Sequence, residues 1–253
     1  VRGFYLRGAK SPTGSHGRRS ALWGVLGVVL ALSSRGALAE GCGGLGATAP
    51  GFAIPRPGTP LAFPRDHGAH PDFRTEWWYV TANLAGDDGA AYGVQWTLFR
   101  FAMQPNAARA GWDDRNVWMG HAAATSAAEH LFAQKFARGG IGQAGVEAAP
   151  FRAYLDDWVL KTRDDSADAG IERLRVSAGD RNFAYALDLT ATGPIVLQGE
   201  GGYRRTSDAG HAPHYYIHPF LTAERPLSVH CTQIQVSGLT VMRPHSPPPP
   251  APP

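Results

Sequence analysis

The sequence predicts a mainly β domain, an antiparallel sandwich or barrel, and three observations carry that prediction. Apolar residues alternate with period two from about residue 75 onward, the signature of half-buried strands. Turn signals recur along a chain of 253 residues that holds 31 Gly and 20 Pro. No stretch keeps a long helical period, and many short strands with frequent turns point to a sandwich or barrel. With 43% hydrophobic and 18% charged residues, the chain has enough apolar material for a core, which excludes wholesale disorder.

The first predicted strand places Trp78, Val80, Ala82 and Leu84 on one face and Thr81 and Asn83 on the other. Gly86-Asp87-Asp88-Gly89 follows as a hairpin turn, because Asp and Gly tolerate the left-handed backbone that tight turns need. The partner strand runs through Tyr92, Val94, Trp96 and Leu98, with Gln95 and Thr97 opposite. Further strands are predicted at Val117–Thr125, Asp157–Thr162, Leu174–Ala178 and Phe183–Leu189, with shorter ones at Val196–Gln198 and His214–Leu221. The Ala-rich segment Ala122–Arg138 predicts a brief helix. A barrel of about eight strands encloses room for side chains or one small ligand. Aromatic strand residues fit such a lumen, and they fit a plain packed core equally well.

The first forty residues read as an export signal. Arg18 and Arg19 precede a run of 12 apolar residues from Ala21 to Leu32, and Ala37-Leu38-Ala39 offers a small-x-small cleavage site. The run is shorter than the about 20 residues of a membrane-spanning helix. The expected location is therefore secreted or periplasmic. The Arg pair matches a twin-arginine signal only loosely. Lipid anchoring through Cys42 is disfavoured, because Glu40 stands where a small residue is wanted.

The leader also explains the formal charge of +3. Six basic residues and no acid lie before Glu40. That leaves 18 Lys and Arg against 21 Asp and Glu in 40–253, a net of about −3. Such a balance argues against a nucleic-acid partner. Residues 40–60 are Gly/Pro-rich and read as a linker. The terminal PPPPAPP lacks backbone donors and reads as an extended tail. The two cysteines, Cys42 and Cys231, permit a disulfide in an exported protein, but no spacing rule demands one.

Phe63–Tyr79 (FPRDHGAHPDFRTEWWY) is the most distinctive stretch. YGVQWTLFR at Tyr92–Arg100, GHAAAT at Gly120–Thr125, the pair Asp157-Trp158, LQGEGGY at Leu197–Tyr203 and HYYIHPFLTAE at His214–Glu224 follow it. In this order the segments resemble the family of AttH and the carotenoid 1,2-hydratases, over roughly residues 60–240. The resemblance implies lipocalin-like antiparallel β-barrels in tandem. On that reading residues 61–225 are the first barrel and 226–240 begin a second. The family's tryptophan-x-aspartate motif is missing after Ile234–Gly238, so a frameshift or truncation is expected near Gly238, with 241–253 a disordered tail. In the hydratases the acid proposed to protonate the double bond lies in the part not matched, so no catalytic residue carries over. The label of secreted hydrolase gains nothing from a serine nucleophile, since no G-x-S-x-G occurs.

Asp66, His67, His70 and Glu76 have metal-ligand chemistry, but their spacing matches no established site, so no metal and no cofactor are expected. Glu76 is the first catalytic candidate. A carboxylate against Trp77 would be desolvated and suited to acid work, whereas a salt bridge to Arg100 is the plainer alternative. His121, in a strand of small residues, is the second: a lumen-facing proton donor or a satisfied core histidine. The ligand-pocket candidates are His67, Trp77, Trp78, Tyr79, Gln95, Trp96, Arg100 and Tyr215. The expected function is binding of an apolar lipid or isoprenoid ligand, working with an ABC-type envelope transporter. The alternative is a hydro-lyase adding water to an isoprenoid double bond, inactive in a truncated form.

Overall fold

The Asp87–Asp88 turn starts the architecture. It joins β1 (Thr75–Gly86) to β2 (Ala91–Ala102), and Asp88 fixes it by accepting a hydrogen bond from the Ala90 N–H at 2.9 Å. Gly89 holds a φ of +81°, where a side chain would strain the backbone. The computed structural model describes residues 50–164, 170–203 and 214–246.

After β2 the chain forms β3 (Asn116–Ser126), β4 (His130–Arg138), β5 (Ala144–Ala148), β6 (Phe151–Leu155) and β7 (Trp158–Thr162). It continues through β8 (Arg173–Gly179), β9 (Phe183–Ala191) and the two-residue β10 (Val196–Leu197), and ends in the long hairpin β11 (His214–Val229) and β12 (Thr232–Ser246). The hydrogen-bonded order is β4-β3-β2-β1-β12-β11-β9-β8-β7-β6-β5, and β10 pairs only with β11. Every pair is antiparallel. The sheet curls until β4 comes against β6, giving a nearly closed barrel of eleven strands.

Period-two alternation sends one set of side chains inward along each strand. The lumen is filled by Trp78, Trp96, Trp118 and Trp158 together with Leu98, Leu155, Leu174 and Leu187, all buried. Gly120 on β3 lets the barrel close on the Trp158 indole, since a Cβ there would lie 3.1 Å from that ring. Tyr185 spans from β9 to β2 and donates from its hydroxyl to the Gln95 carbonyl at 2.5 Å.

Two expectations are corrected. The Ala122–Arg138 segment is not helical: it holds the end of β3 and all of β4. In β4, Leu131, Ala133, Lys135 and Ala137 face one way and Phe132, Gln134 and Phe136 the other, so neither face is uniformly apolar and the alternation is masked. Residues 226–240 do not open a second barrel either. They belong to β11 and β12, and β12 pairs with β1 from Trp77 opposite His245 to Gly86 opposite Val236. Residues 241–246, expected in a disordered tail, continue β12. Pro219 is tolerated because the ladder gives way there, within the register shift between His218 and Leu221. The leader expected at residues 1–39, Cys42 and residues 247–253 lie outside the described residues, and Cys231 is exposed in the β11–β12 turn.

Candidate functional site

Two places bring together the residues singled out in the sequence. The first is the barrel mouth, crossed by residues 50–74. This strap is tied to itself by Ala53 N–H donating to Asp72 O at 2.9 Å, and a 3-10 turn at Arg65–His67 pushes Asp66 and His67 inward. Asp66 accepts from the Ala62 N–H at 2.6 Å and from Arg65 Nε at 2.7 Å. His70 lies between two carboxylates, with Nδ1 2.7 Å from Glu76 Oε1 and Nε2 3.3 Å from Asp66 Oδ1. Glu76 Oε2 receives Arg100 Nε at 2.9 Å, and Arg100 also donates to Asn116 Oδ1 and to the carbonyls of His70 and Phe73.

Burial opposes ionisation of Asp66, but the hydrogen bonds from Arg65, Ala62 and His70 outweigh it and hold its carboxyl down at about 2. Burial likewise opposes charge on His70, and the bonds to Glu76 and Asp66 outweigh it, so its pKa is raised. His67 is the opposite case. Burial, with a smaller push from His218, lowers it to about 4 against the pull of Asp66. Its Nδ1 shares a 2.5 Å hydrogen bond with the Tyr216 hydroxyl, and its carbonyl accepts from Trp78 Nε1.

A cavity of about 110 Å³ opens here, lined among others by Asp66, His70, Glu76, Trp78, Tyr215 and Tyr216. Ligand pockets are commonly about 300–1,000 Å³, so this volume suits a few waters and not a lipid chain. Glu76 is committed to Arg100 and His70, which is the salt-bridge alternative, and it is not a free acid. Among the described residues no group of three His, Cys, Asp or Glu side chains is arranged to hold a metal ion.

The second place is the outer face of β12, β1, β2, β3 and β4. Cross-strand register lays Trp77, Phe99, Met119 and Phe136 in one row and Arg243, Tyr79, Thr97, His121 and Gln134 in the next. Phe132 lies one row further, opposite Ala123 and Gln95. The rings touch: Trp77 to Phe99 at 6.0 Å, Phe99 to His121 at 5.3 Å, His121 to Phe132 at 5.4 Å between centroids. Phe132 and Phe136 are 52% and 62% exposed, an apolar surface that a soluble domain ordinarily covers. His121 Nε2 and Arg243 Nε are buried in this wall with no hydrogen-bond partner. Burial lowers the pKa of His121, so the ring is neutral near pH 7. Arg243 lies 5.8 Å from the centre of the Tyr79 ring.

The eight predicted pocket residues therefore do not share one pocket. Trp96 is lumen packing, Trp78 packs in the lumen and lines the mouth cavity, Arg100 is bound in its ion pair, and His67 and Tyr215 are at the mouth. Trp77, Tyr79 and Gln95 are on the outer wall with His121, which faces away from the lumen. Strand alternation forces this split, since neighbours in sequence point to opposite faces. Sequence reasoning missed Phe132, Phe136 and Arg243. The alternation Phe132-x-Gln134-x-Phe136 was the available signal, hidden by the helical reading of an Ala-rich stretch.

A family profile described as AttH-like matches residues 54–243. A protein assigned as AttH from Nitrosomonas europaea has a crystal structure similar to this chain, with a TM-score of 0.65 and 30% identity over 79% of this chain and 59% of that one. Kievitone hydratase from Nectria haematococca aligns with a TM-score of 0.52 at 12% identity, over 80% of this chain and 57% of that one, a likeness of fold alone. The chain thus spans less than two thirds of either solved relative. A comparison with curated proteins finds no match.

Proposed function

The chain belongs to the AttH-like family, whose lipocalin-like barrel it shares, and from that premise we propose that it binds an apolar ligand of lipid or isoprenoid type along the outer wall of β1–β4. One observation carries this reading: Phe132 and Phe136 stand exposed beside the contacting rings of Trp77, Phe99 and His121. An apolar chain laid across these rings would cover them. Among the described residues the lumen is packed by Trp78, Trp96, Trp118 and Trp158. Delivery to or from an envelope transporter is part of the proposal, and the export signal expected at residues 1–39 supports it.

The test is titration of the whole chain with a fluorescent fatty acid, then with an acyclic isoprenoid alcohol as competitor. Phe132→Ser with Phe136→Ser is expected to weaken binding at least tenfold while leaving the fold intact. No binding by the parent protein, or equal binding by the variant, overturns the reading.

A hydro-lyase is the second reading, and kievitone hydratase, which shares the fold, is its motive. Protonating a carbon–carbon double bond calls for a positioned acid. The two rows of the outer wall hold no Asp or Glu, and the mouth carboxylates Asp66 and Glu76 are tied in ion pairs. Binding without turnover is therefore the reading the geometry favours. Hydration of an isoprenoid substrate by this chain would reverse that preference.

A further inference from the structure

A separate part of the outer surface carries a charge arrangement that barrel packing leaves unexplained. Asp188 sits between Leu187 and Leu189, whose side chains fill the lumen, so its own points outward. Yet its side chain is 0% exposed, because three arginines cover it. Arg175 Nε and Arg225 Nε each donate to one carboxylate oxygen at 2.7 Å, and Arg163 Nη2 lies 3.6 Å away. From these residues we propose that the outer face of β7, β8, β9 and β11 is a binding site for a phosphate group.

The argument begins with charge. One cation suffices to compensate a buried carboxylate, whereas Arg163, Arg175 and Arg225 all face Asp188, and with Arg173 and Lys161 beside them the face keeps a positive surplus even against Glu224. Residues 40–253 carry a net charge of about −3, so this surplus is local. Arg173 and Lys161 share the face: Lys161 stands opposite Arg175, and Arg173 lies two residues before it on the same strand. Of the nearby acids, Glu147 pairs with Arg152, and Glu224 stands opposite Asp188 at the edge of the cluster.

Geometry gives the chemistry of the ligand. Arg175 and Arg225 are held through Nε alone, and among the described residues their Nη groups have no hydrogen-bond partner. Their side chains are 44% and 53% exposed, so the Nη groups are open to a ligand. Asp188 therefore acts as a peg that fixes two guanidinium forks beside each other. Paired forks suit a tetrahedral oxyanion, which accepts two hydrogen bonds from each, and a dianion cancels the surplus charge. Arg225 is moreover held at φ +118°, an unfavourable conformation for an L residue, at the point where it reaches Asp188.

Free phosphate and the phosphate of a lipid headgroup present the same chemistry, and the experiment has an arm for each. The whole chain is titrated with inorganic phosphate while the guanidinium NMR signals of Arg175 and Arg225 are followed. In parallel it is sedimented with vesicles of phosphatidylglycerol or of phosphatidylcholine. Saturable shifts at both arginines show free phosphate. Sedimentation with phosphatidylglycerol alone, falling steeply with added salt, shows a headgroup. Either result supports the site if Arg175→Gln with Arg225→Gln weakens it at least tenfold and Arg109→Gln, in the β2–β3 connection, changes it less than twofold. Should the double variant not fold, Arg225→Gln alone keeps one tie to Asp188 and is expected to weaken binding at least threefold. No shift and no sedimentation, or binding that survives the substitutions, overturns the proposal.

Discussion

Glu76 and Arg100 face each other across the β1–β2 ladder, with Arg100 Nε 2.9 Å from Glu76 Oε2 and both side chains 2% exposed. Arg100 also carries the strap, because it donates to the His70 and Phe73 carbonyls. Truncating it would leave a buried carboxylate with one cationic partner fewer and two carbonyls unmet. Arg100→Leu is expected to cost about 3–5 kcal/mol in urea unfolding. The double change Glu76→Leu with Arg100→Leu should cost less than the sum of the single changes, because the pair acts as a unit.

The histidines at the mouth set a pH dependence with two signs. His70 has a raised folded pKa, so its contribution is fully present below the unfolded value of about 6.5 and is lost as pH rises through the folded value. His67 is lowered to about 4, so its contribution is present above about 6.5 and is lost as pH falls toward the folded value. The His67 part amounts to about 3 kcal/mol over that interval. Urea midpoints across pH 4–8 should therefore peak near pH 6.5. His67→Gln should flatten the acid side and leave the alkaline side in place, and a profile unchanged in shape would contradict this.

Gly238 on β12 stands opposite Leu84 on β1. A Cβ there would lie 2.0 Å from the Asn83 carbonyl oxygen and 2.9 Å from Leu84 Cα, both backbone atoms that cannot swing away. Gly238→Ala is expected to destabilise by about 1–3 kcal/mol or more, as overpacking does. The effect on thermal unfolding would be small if β12 belonged to a separate, loosely attached segment, so the measurement also tests the closing role of this strand.

Tyr185 makes its hydrogen bond to the Gln95 carbonyl from the opposite wall of the barrel, and burial raises its phenol pKa. Tyr185→Phe keeps the ring and removes the hydroxyl. A loss of about 1–2 kcal/mol is expected, the cost of leaving a buried acceptor unmet. Amide exchange in β2 near Gln95 should quicken in the variant.

Much of the barrel was legible from alternation alone. Trp78, Val80, Ala82 and Leu84, or Phe183, Tyr185, Leu187 and Leu189, name their strands and their inward faces because a strand has only two sides. The pairing of Glu76 with Arg100 was legible too, since the Asp87–Asp88 turn fixes the register. β4 and the β5–β6 hairpin were not. In β4 Lys135 interrupts the face of Leu131, Ala133 and Ala137 and Gln134 interrupts that of Phe132 and Phe136, and β5 and β6 are only five residues each, too short to show a period.

The linear order of residues determined the β class, the first hairpin, the family and the unequal placement of charge, because these rest on local periodicity, turn chemistry and composition. Tertiary structure alone decided which residues meet. Closing β12 onto β1 places Arg243 against Tyr79 and so extends the outer wall, although these residues are far apart in sequence. The same closure fills the lumen with indole rings and moves the open apolar surface outside. Asp188, Arg163, Arg175 and Arg225 come from four segments, and only the curl of the sheet brings their charges to one point. Local sequence dictates what a strand is, whereas long-range pairing, driven by burial of its apolar face, dictates what it stands beside.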